Sequence, residues 1–550
     1  MNVMLYINTL RYLKTVQLFG RLVHTINRPF KSISPEFSGK PERIHISIAR
    51  LDCDDEYIAR LAPEALLENR ICLLHHERTL SFSEDNLSGE APLWKYNLQY
   101  FEFAVALAAR FQQTKDYAYI SAFDKSLSDF LNAGIHQKSY VVSLRIVNLL
   151  ISADLIWDDI DSGLQKKIYD CVYRDYCFLK ENTEVYLLGN HYFENLKSLC
   201  IAALVFGEEK EHNKYLKLLQ KQIHEQFLPD GMHFELSPMY HNVLLEGLLR
   251  VILCLKQYRD VPSWLLDYTQ KALSAAAFLE KGFDRIPLFN DSGNNVAKPF
   301  IQLQSAAKGV LGQSPRSIDR LASAGYYRLE NGLLTLLFDA GKIGPDYMPG
   351  HGHCDCLSFE LSIKGSPLFV NSGTYQYQGK LRSYFRSTRA HNTLMIGEKE
   401  QSECWGEHRV ARRVNNISVE MDAGRITASC KNYFGDTHRR SISLANNTLT
   451  VLDATETQRA DVIHSYLHIA DNYSVRTGDS SLFVNKNDVT VCEIHPENAT
   501  VAIHEIGELT QYAPEFGQLL HSACIEFTWK SDNAQHGYSV NFNIMGIKND

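Results

Sequence analysis

The spacing of apolar residues divides the chain into two parts with different periods. Between about residues 55 and 310, apolar positions recur every three or four residues, which is the period of an amphipathic α-helix. Short polar joins that contain Pro or Gly separate these stretches. Helices paired in this way predict a helical toroid or array. The predicted helices are Tyr100–Arg110, Ser143–Trp157, Leu164–Glu181, Asn195–Phe206, Asn213–Gln226, Val243–Tyr258 and Ser263–Lys281.

After about Gly325 the pattern changes to short β-prone runs punctuated by Asn, Gly and Asp. Many short strands at close spacing favour an antiparallel β-sandwich. We therefore expect a basic N-terminal segment at 1–50, a helical domain at 51–315 and a β domain at 316–550, with a ligand cleft between the two domains. The predicted strands are Leu333–Phe338, Leu357–Ile363, Asn416–Val419, Ser441–Leu444, Leu449–Leu452, Ser465–Ile469, Val489–Ile494, Thr500–His504 and Ser539–Ile544.

Composition narrows the class of protein. The chain has 550 residues, of which 45% are hydrophobic, enough for large cores in two or more domains. The net charge of −8 argues against general nucleic-acid binding. No window approaches the roughly 20 continuous apolar residues of a membrane-spanning helix. The twelve cysteines are scattered without a CxxC pair, which indicates core residues in a reducing compartment.

The N-terminal segment is basic and apolar. Residues 1–50 contain eight Lys or Arg and two Glu. The segment lacks a clean apolar run followed by small residues at a cleavage site, so we predict no secretory signal peptide. An amphipathic helix fits the pattern, either packed on the domain or touching a membrane surface. The expected location is cytoplasmic or peripheral to a membrane; the sequence does not indicate the oligomeric state.

The densest group of ionisable residues lies in Pro349-Gly350-His351-Gly352-His353-Cys354-Asp355. His351, His353 and Asp355 alternate at a spacing of two, which in an extended segment places all three on one face. Asn371-Ser372-Gly373-Thr374-Tyr375 and Ala390-His391-Asn392-Thr393 follow within the same β-prone region. The cluster predicts a metal site or a reaction centre; the alternative is an exposed strand face with solvated side chains.

The helical half contributes further polar clusters. In Gly189-Asn190-His191-Tyr192-Phe193-Glu194-Asn195, His191 and Glu194 share one helix face, and Asn190 either caps the helix or faces a site. In the cluster 230–241, Ser237-Pro238 predicts a helix start that places Tyr240 in the first turn, where the helix dipole favours a phenolate. The alternative is a tyrosine packed at the domain surface. Asp291 lies in a predicted turn and could orient a cationic neighbour.

These Asn, His and Tyr residues suit the removal of a weakly acidic proton beside a carboxylate. Asn or His neutralises the carboxylate of a uronic acid, and Tyr or His takes the C5 proton. A Tyr then protonates the departing C4 oxygen, which leaves a 4,5-unsaturated sugar by β-elimination. A glycoside hydrolase would instead need two dominant carboxylates. Glu194, Glu235 and Asp291 keep that alternative open.

The order of these motifs resembles the heparinase II/III and alginate-lyase superfamily of polysaccharide lyases. The resemblance runs from about Trp94 to the C-terminus. It implies an (α/α) toroid followed by an antiparallel β-sandwich, with the site between them. The motifs that carry it are Asn190-His191-x-x-Glu194, Glu235-x-Ser237-Pro238-x-Tyr240, His351-x-His353-x-Asp355, Ser372-Gly373-Thr374-Tyr375 and Arg386-Ser387-Thr388-x-Ala390-His391-Asn392-Thr393.

The resemblance also implies roles for individual residues. Asn190 and His191 would neutralise the substrate carboxylate. Tyr240 would be a catalytic acid or base, with His191 or His351 as the partner base and Tyr375 as a further catalytic residue. The residues expected to bind substrate in the same pocket are Glu194, Glu235 and His241.

Members of the superfamily often hold a structural zinc through two His and one Asp. His353 and His391 match the two histidines, and the third position is Asn371, a weaker zinc ligand than a carboxylate. Asp355 could substitute for it. The resemblance implies no organic cofactor.

The resemblance implies an acidic polysaccharide as substrate. Some members carry a basic residue one helical turn after the catalytic tyrosine, where this chain has Leu244, which argues against a heavily sulfated glycan. The N-terminus is similar to that of members associated with bacterial exopolysaccharide production. The second alternative to a lyase is therefore a non-catalytic factor that binds or assembles an exopolysaccharide.

Overall fold

The computed structural model describes residues 3–27, 37, 41–46, 50–135, 137–457, 462–531 and 534–543, with 23–27 described for the backbone alone. The remaining parts of the predicted N-terminal segment and the last residue of the predicted strand 539–544 lie outside the described residues.

The first half of the described chain is almost entirely helical. Its last long helix ends at Leu311, and the next regular element is a strand that begins at Arg320. The helices, numbered α1 to α16, are Val3–Leu10, Thr15–Asn27, Asp54–Ala59, Pro63–Leu67, Glu84–Leu87, Pro92–Gln99, Glu102–Thr114, Ala118–Asn132, Ser139–Ile156, Ser162–Glu181, Gly189–Val205, Glu209–Gln226, Pro238–Tyr258, Ser263–Glu280, Phe300–Leu311 and Leu381–Phe385.

Two described segments, Ser139–Asp159 and Pro238–Tyr258, are helical, long and apolar enough to cross a membrane by length and composition alone. Most of each apolar stretch, 72% and 83%, is buried inside the protein. Core helices of a large domain have the same composition, because neighbouring helices cover them on several sides. In this fold, both contribute residues to the large helical core.

The second half folds into antiparallel sheets. Strands β1 and β2 form a separate hairpin within the helical half. The strands, numbered β1 to β23, are Arg70–Leu73, His76–Thr79, Arg320–Leu321, Tyr326–Asn331, Leu334–Asp339, Phe359–Ile363, Ser366–Phe369, Leu394–Ile396, Cys404–Trp405, Arg409–Val410, Asn415–Asp422, Arg425–Lys431, Thr437–Ala445, Thr448–Glu456, Val462–His468, Ser474–Thr477, Leu482–Lys486, Val489–Glu497, Thr500–His504, Gln511–Tyr512, Leu520–His521, Cys524–Lys530 and Gln535–Phe542.

Three larger sheets make up the β domain. A five-stranded sheet has the order β3-β4-β5-β6-β7, an eight-stranded sheet β11-β12-β13-β14-β23-β18-β17-β16, and a four-stranded sheet β19-β22-β15-β8. Burial alternates along strands such as β12 and β14, so that one face of each lies in a shared core. Asn446 and Asn447 join β13 to β14 in a two-residue turn, and both have positive φ, which Asn tolerates and this hairpin geometry requires.

The predicted fold class, a helical toroid followed by an antiparallel β-sandwich, is confirmed. The predicted helices overlap described helices, but the bounds differ. Several described helices begin four to six residues earlier than predicted, and the predicted helix 100–110 begins two residues before α7. The apolar pattern marks the buried face of a helix and does not mark where its backbone hydrogen bonds begin and end. The prediction of an extended segment around His351 is wrong: residues 350–358 form an irregular loop, and β6 begins only at Phe359.

The segment 281–299, between α14 and α15, joins the two halves through backbone and side-chain hydrogen bonds. The Asn290 amide donates to the Asp355 carboxylate (3.0 Å), and the Asn290 side-chain oxygen accepts from the His353 amide (3.0 Å). Tyr326 of β4 donates its hydroxyl proton to the backbone carbonyl of Leu236, ahead of α13 (2.6 Å). These contacts fix the end of the toroid against the first β sheet and define the cleft between them.

Candidate active site

A cavity of about 700 Å³ lies between the two halves of the molecule. The toroid contributes Asn190, His191 and Tyr240 to its wall, and the β domain contributes His351 and Tyr377. Helices α1 and α2 also line it, through residues such as Tyr6 and Gln17. A cavity of this size at a domain junction, walled by convergent polar groups, is a natural binding site for a small chain of sugars.

The start of α11 places Asn190 in this cavity. Gly189 has a φ of 55°, and a side chain at this position would collide with Met348. The tight entry turns the Asn190 backbone toward Glu235, which accepts from the Asn190 amide (3.0 Å) and from its Nδ2 (3.2 Å). Asn190 is therefore a residue held by a carboxylate at the cavity wall, and the alternative that its side chain caps the helix is not observed.

Tyr240 lies in the first turn of α13, as its sequence position predicts. Ser237 caps this helix by accepting from the Tyr240 amide (3.2 Å). The Tyr240 hydroxyl is hydrogen-bonded to the Tyr377 hydroxyl (2.6 Å). Burial, and next the neighbouring Tyr377, raise the pKa of Tyr240 well above its usual value. The structure therefore favours a neutral phenol, a proton donor, over the phenolate expected from the helix dipole.

His351 faces Tyr240 from the other wall, with ring centroids 4.3 Å apart. Its Nδ1 donates to the Asp291 carboxylate (2.8 Å), which assigns the proton to Nδ1 and leaves a lone pair on Nε2. Nε2 lies 3.5 Å from Asn190 Nδ2 and 3.6 Å from Glu235 Oε2. A histidine oriented in this way by a buried carboxylate is suited to accept a proton at Nε2.

Asp291 is the buried centre of the β-domain wall. Arg382 of α16 pairs with both of its carboxylate oxygens, and the Nη2–Oδ2 distance is 2.8 Å. His353 Nε2 donates to the same carboxylate (2.9 Å). Burial by itself raises the pKa of Asp291, but the Arg382 guanidinium and the bonds from His351 and His353 hold it well below the usual value. The Asp291 carboxyl group therefore stays ionised and accepts hydrogen bonds from all three neighbours. The expectation that it orients a cationic neighbour is consistent with these contacts.

His191 lies on the toroid side of the cavity, and 39% of its side chain is exposed. Its Nδ1 is 3.2 Å from the Glu184 carboxylate, and its ring packs against Tyr140 at a centroid distance of 4.6 Å. Burial lowers the pKa of His191, but the charge of Glu184 and the hydrogen bond to it outweigh burial, so that the net shift is upward. The histidine is therefore biased toward its cationic form.

A second cluster lies behind the cavity wall. One ligand atom each from His353, Asp355 and His391 lies within 4.8 Å of the others, and all three residues are buried. His391 Nδ1 is 3.2 Å from Asn371 Oδ1. His353 Nδ1 and His391 Nε2 have no hydrogen-bond partner among the described residues, and burial lowers the pKa of both histidines. Two neutral imidazoles with open lone pairs beside a carboxylate form a donor set that suits a metal ion.

The structure places two predicted residues away from the cavity. Tyr375 packs in a small apolar cluster with Tyr384 and Phe385, and it does not line the cavity. His241 is fully buried in the toroid, where it donates to the Ala272 carbonyl (2.8 Å). Burial lowers the pKa of His241 to about 4, so that it is a neutral structural histidine. Its predicted role in binding substrate is not supported by this position.

The two predicted substrate-binding carboxylates do line the cavity. Glu235 holds Asn190, as described above, and Glu194 forms an ion pair with Lys197 one turn along α11. Glu194 is completely buried. Both carboxylates therefore have partners within the protein. We interpret them as residues that position the side chains of the cavity wall, and not as residues that contact an anionic ligand.

Sequence reasoning missed two residues of the site. Tyr377 is two positions beyond Tyr375, and it is the tyrosine that reaches Tyr240. Arg382 comes from the short helix α16, for which the apolar pattern gave no signal. Both residues follow closely after the Ser372–Tyr375 motif, which is the one feature of the sequence that could have indicated them. Their contacts with Tyr240 and Asp291 join residues more than 90 positions apart, which no local pattern reveals.

Two family models match the chain. The model described as Heparinase II/III N-terminus matches residues 172–309, and the model described as Heparinase II/III-like, C-terminal, matches residues 313–529. Together they span more than half of the chain. The chain is 24% identical to the heparin-sulfate lyase of Pedobacter heparinus over 295 residues, which are 47% of this chain and 42% of that protein.

A similar protein from Bacteroides stercoris, also named heparin-sulfate lyase, is 24% identical over 298 residues, or 48% of this chain and 43% of that protein. The chain thus spans less than half the length of the curated relatives it matches. The structure of heparinase III aligns with a TM-score of 0.69 at 17% identity, covering 94% of this chain and 88% of that chain. Heparan sulfate lyase HepC from Pedobacter heparinus aligns with a TM-score of 0.56 at 17% identity, covering 91% and 86%.

At these identities the structural likeness concerns the fold. The fold and the cleft define a two-domain protein of the toroid-plus-sandwich class, with its polar residues gathered where the domains meet. With both family models matched in order along it, the chain belongs to the heparinase II/III family.

Proposed function

We propose that this protein is a polysaccharide lyase that cleaves a uronic-acid-containing glycan by β-elimination. The observation that carries the proposal is the pairing of His351 and Tyr240 across the cavity. One is a histidine with its open nitrogen set by Asp291, and the other is a tyrosine held as a neutral phenol. A base and an acid on adjacent positions are what C5 proton removal and C4 oxygen departure require.

The first requirement is to neutralise the uronate carboxylate, since the C5 proton becomes acidic only then. Asn190 Nδ2 and His191 lie on one wall of the cavity. The Glu235 carboxylate fixes the Asn190 amide, and Glu184 favours the cationic form of His191. In the proposed complex these two side chains donate to the carboxylate and stabilise the enolate-like charge that develops on it.

The proton transfers follow from the two opposing groups. His351 Nε2 accepts the C5 proton, and the Asp291 carboxylate stabilises the imidazolium that forms. The Tyr240 hydroxyl then gives its proton to the departing C4 oxygen. The hydrogen bond between Tyr240 and Tyr377 keeps the phenol in place and lets Tyr377 share the developing charge. The proposed route needs no carboxylic acid as proton donor.

The substrate class is supported by the charges of the cavity wall. Lys197 pairs with Glu194, Lys298 with Glu246 (2.7 Å), and Arg250 with Asp54 (3.1 Å). Cations that are already paired offer little to a sulfate group, because each would have to break a buried ion pair to bind it. Arg21 and Arg409 also line the cavity and are exposed, so the wall suits an acidic glycan, and we infer one that carries uronate carboxylates.

The cluster of His353, Asp355 and His391 suits a structural zinc ion. His353 Nδ1, His391 Nε2 and the Asp355 carboxylate would hold it, and Asn371 Oδ1 would orient His391 instead of serving as the ligand expected from the sequence. A zinc bound there would tie the loop 350–358 to the segment that carries His391. The zinc would take no part in the proposed proton transfers.

Two alternatives remain distinguishable by their products. A hydrolase would draw on Glu194, Glu235 and Asp291, but each of these carboxylates is engaged by a neighbouring residue. A non-catalytic exopolysaccharide factor would bind glycan without turnover. No observed contact favours either of these alternatives over the lyase.

A panel of uronate polymers, sulfated and unsulfated, tests the proposal. We expect ultraviolet absorbance from the conjugated unsaturated uronate to rise with at least one unsulfated polymer. Reducing ends that appear without this absorbance would establish hydrolysis instead. Binding of a polymer without either signal, with Tyr240→Phe binding it equally well, would establish the non-catalytic factor.

A further inference from the structure

The most concentrated exposed apolar surface of the described chain lies on its first two helices. On α1 the exposed apolar side chains lie within one stripe of the helix. On α2 a second stripe has the same character, with Phe19 the most exposed at 66%. These two helices hold eight of the seventeen large apolar side chains that are exposed in the described residues: Val3, Met4, Ile7, Leu10, Val16, Leu18, Phe19 and Leu22.

The polarity of α2 is inverted relative to a normal surface helix. Gln17 faces the protein, is 1% exposed and donates to the Tyr347 carbonyl (3.1 Å). Gly20 packs directly on Tyr186, so that the backbone approaches the toroid closely. Leu18, Phe19 and Leu22 point away from the protein. A helix that only covered a soluble domain would place its apolar side chains inward and its polar ones outward.

The inner face of the helix pair holds it in this orientation. Tyr6 packs on Trp405 with ring centroids 4.9 Å apart, and Trp405 donates to Thr9 Oγ1 (3.0 Å). Lys14 pairs with Glu225 and lies over the Tyr347 ring. The pair therefore contacts both the toroid and the β domain, and its apolar outer face is fixed in place by these contacts.

The charge of this region points to the partner. Residues 1–35 contain five Lys or Arg and no Asp or Glu, whereas the whole chain has a net charge of −8. Arg11 is exposed beside the apolar stripes, whereas Arg21 and Arg409 are exposed where they line the cavity. Two acidic residues of this region, Glu225 and Asp346, pair with Lys14 and Arg413. Apolar side chains with a basic surround fit the interface of an anionic lipid bilayer.

We propose that α1 and α2 form a docking surface for an anionic lipid bilayer. Leu18, Phe19 and Leu22 enter the boundary between headgroups and acyl chains, while Arg11 and its basic neighbours contact the lipid phosphates. Since Tyr6 and Gln17 line the cavity from the inner face of the same helices, docking places this side of the cavity close to the membrane surface. This proposal stands apart from the reaction, because none of the three outer side chains lines the cavity.

Co-sedimentation with vesicles tests it. The full chain is mixed with vesicles of phosphatidylcholine alone and of phosphatidylcholine with phosphatidylglycerol. We expect binding to the anionic vesicles that weakens as salt is added. The triple variant Leu18→Ser, Phe19→Ser, Leu22→Ser is expected to bind the vesicles at least about tenfold more weakly. It lacks the three large apolar side chains whose transfer from water into the bilayer would stabilise binding. Arg11→Gln is expected to weaken binding to the anionic vesicles alone.

The matched control is the double variant Ile301→Ser, Ile506→Ser, which removes two equally exposed apolar side chains (71% and 89% exposed) far from this sequence region. It is expected to bind as the wild type does, and circular dichroism of each variant checks that all fold. Wild-type protein that binds neither vesicle would overturn the proposal. Equal binding by the triple variant would do the same, as would concentration-dependent dimerisation that the triple variant abolishes in the absence of lipid.

Discussion

Two histidines separated by one glycine meet very different surroundings. His351 lines the cavity, and 14% of its side chain is exposed. His353 is completely buried behind it. Both donate to the same carboxylate, His351 to Oδ2 of Asp291 and His353 to Oδ1. One acidic residue therefore orients two imidazoles whose remaining nitrogens face different places.

The difference lies in what each free nitrogen meets. His351 Nε2 faces Asn190 and the space where a substrate would bind. His353 Nδ1 has no hydrogen-bond partner among the described residues, and His353 lies beside His391 and Asp355 in a buried cluster. Burial lowers the pKa of His353 to about 4, which keeps it neutral and able to ligate a metal. A regular spacing of histidines can therefore serve a reaction and a structural site at once.

Asp291→Asn removes the residue that both regions share, so it is expected to have the largest effect. It leaves the Arg382 guanidinium buried without its carboxylate, which costs about 3–5 kcal/mol of unfolding free energy. It also removes the acceptor that sets the His351 tautomer, which is expected to lower kcat by about 10³- to 10⁴-fold. Urea unfolding and elimination kinetics measure the two effects.

The matched control for that variant is Glu508→Gln, which removes the carboxylate of an exposed ion pair with Arg389. An exposed pair contributes about 0–1 kcal/mol, so stability and turnover are expected to stay near wild type. If Asp291→Asn behaved like this control, the buried network would not be what connects the two regions.

Tyr240→Phe acts on the cavity alone. Loss of the proton donor is expected to lower kcat by about 10²- to 10⁴-fold, with KM and glycan binding little changed. Tyr375→Phe is the control, since Tyr375 lies outside the cavity and only its ring packs against neighbours. Turnover kinetics on the glycan found in the panel measure both. Wild-type kcat in Tyr240→Phe, or an equal loss in Tyr375→Phe, would contradict the assignment of Tyr240.

His391→Ala acts on the buried cluster alone. Elemental analysis of protein purified without chelators is expected to find zinc in the wild type and none in this variant. The melting temperature is expected to fall, while kcat of the folded fraction stays within about tenfold of wild type, because no residue of the proposed reaction contacts His391. Asn371→Ala is expected to retain zinc, and its complete loss there would make Asn371 a ligand.

The smallest effect is the pH dependence attributed to His191. Its folded pKa is raised above the unfolded value of about 6.5, so its charge and the stability gained from Glu184 are fully present at low pH. Both are lost as the pH rises through the raised pKa, and KM for a uronate glycan is expected to increase over that range. Glu184→Gln should shift the increase to lower pH.

His224→Gln is the control for the pH profile, because His224 is exposed on α12 and bonded to Tyr268 away from the cavity. Its KM profile is expected to match the wild type. An unchanged profile in Glu184→Gln would mean that another group binds the carboxylate.

The architecture was predictable because long apolar periods persist over whole helices and strands. The core of α13 shows this: Leu244, Leu248 and Val251 repeat on one face and are buried. The positions of Asn190, Tyr240 and His351 in one cavity were predicted through the resemblance, and the structure does bring them together. What was missed depends on contacts between distant residues, which no local pattern encodes.

Asp291 shows which part of the site the sequence alone does not predict. A Phe-Asn-Asp-Ser-Gly stretch predicts a turn, and the chain bends at Asn290 and Asp291, just before a turn at 294–296. The role of Asp291 comes from Arg382, 91 residues away, and from two histidines on a loop 60 and 62 residues away. The same holds for Asp355 and Asn371, because only the folded chain shows that Asp355 clusters with both histidines and that Asn371 Oδ1 lies against His391 Nδ1.

The central claim is that C5 proton removal by His351 begins an elimination in this cavity. The most direct test compares single-turnover rates on a uronate glycan with ordinary hydrogen and with deuterium at C5. We expect slower formation of the unsaturated product from the deuterated glycan, and loss of this product in His351→Ala with partial recovery on addition of imidazole. Equal rates for the two glycans, or an unaffected His351→Ala variant, would contradict it.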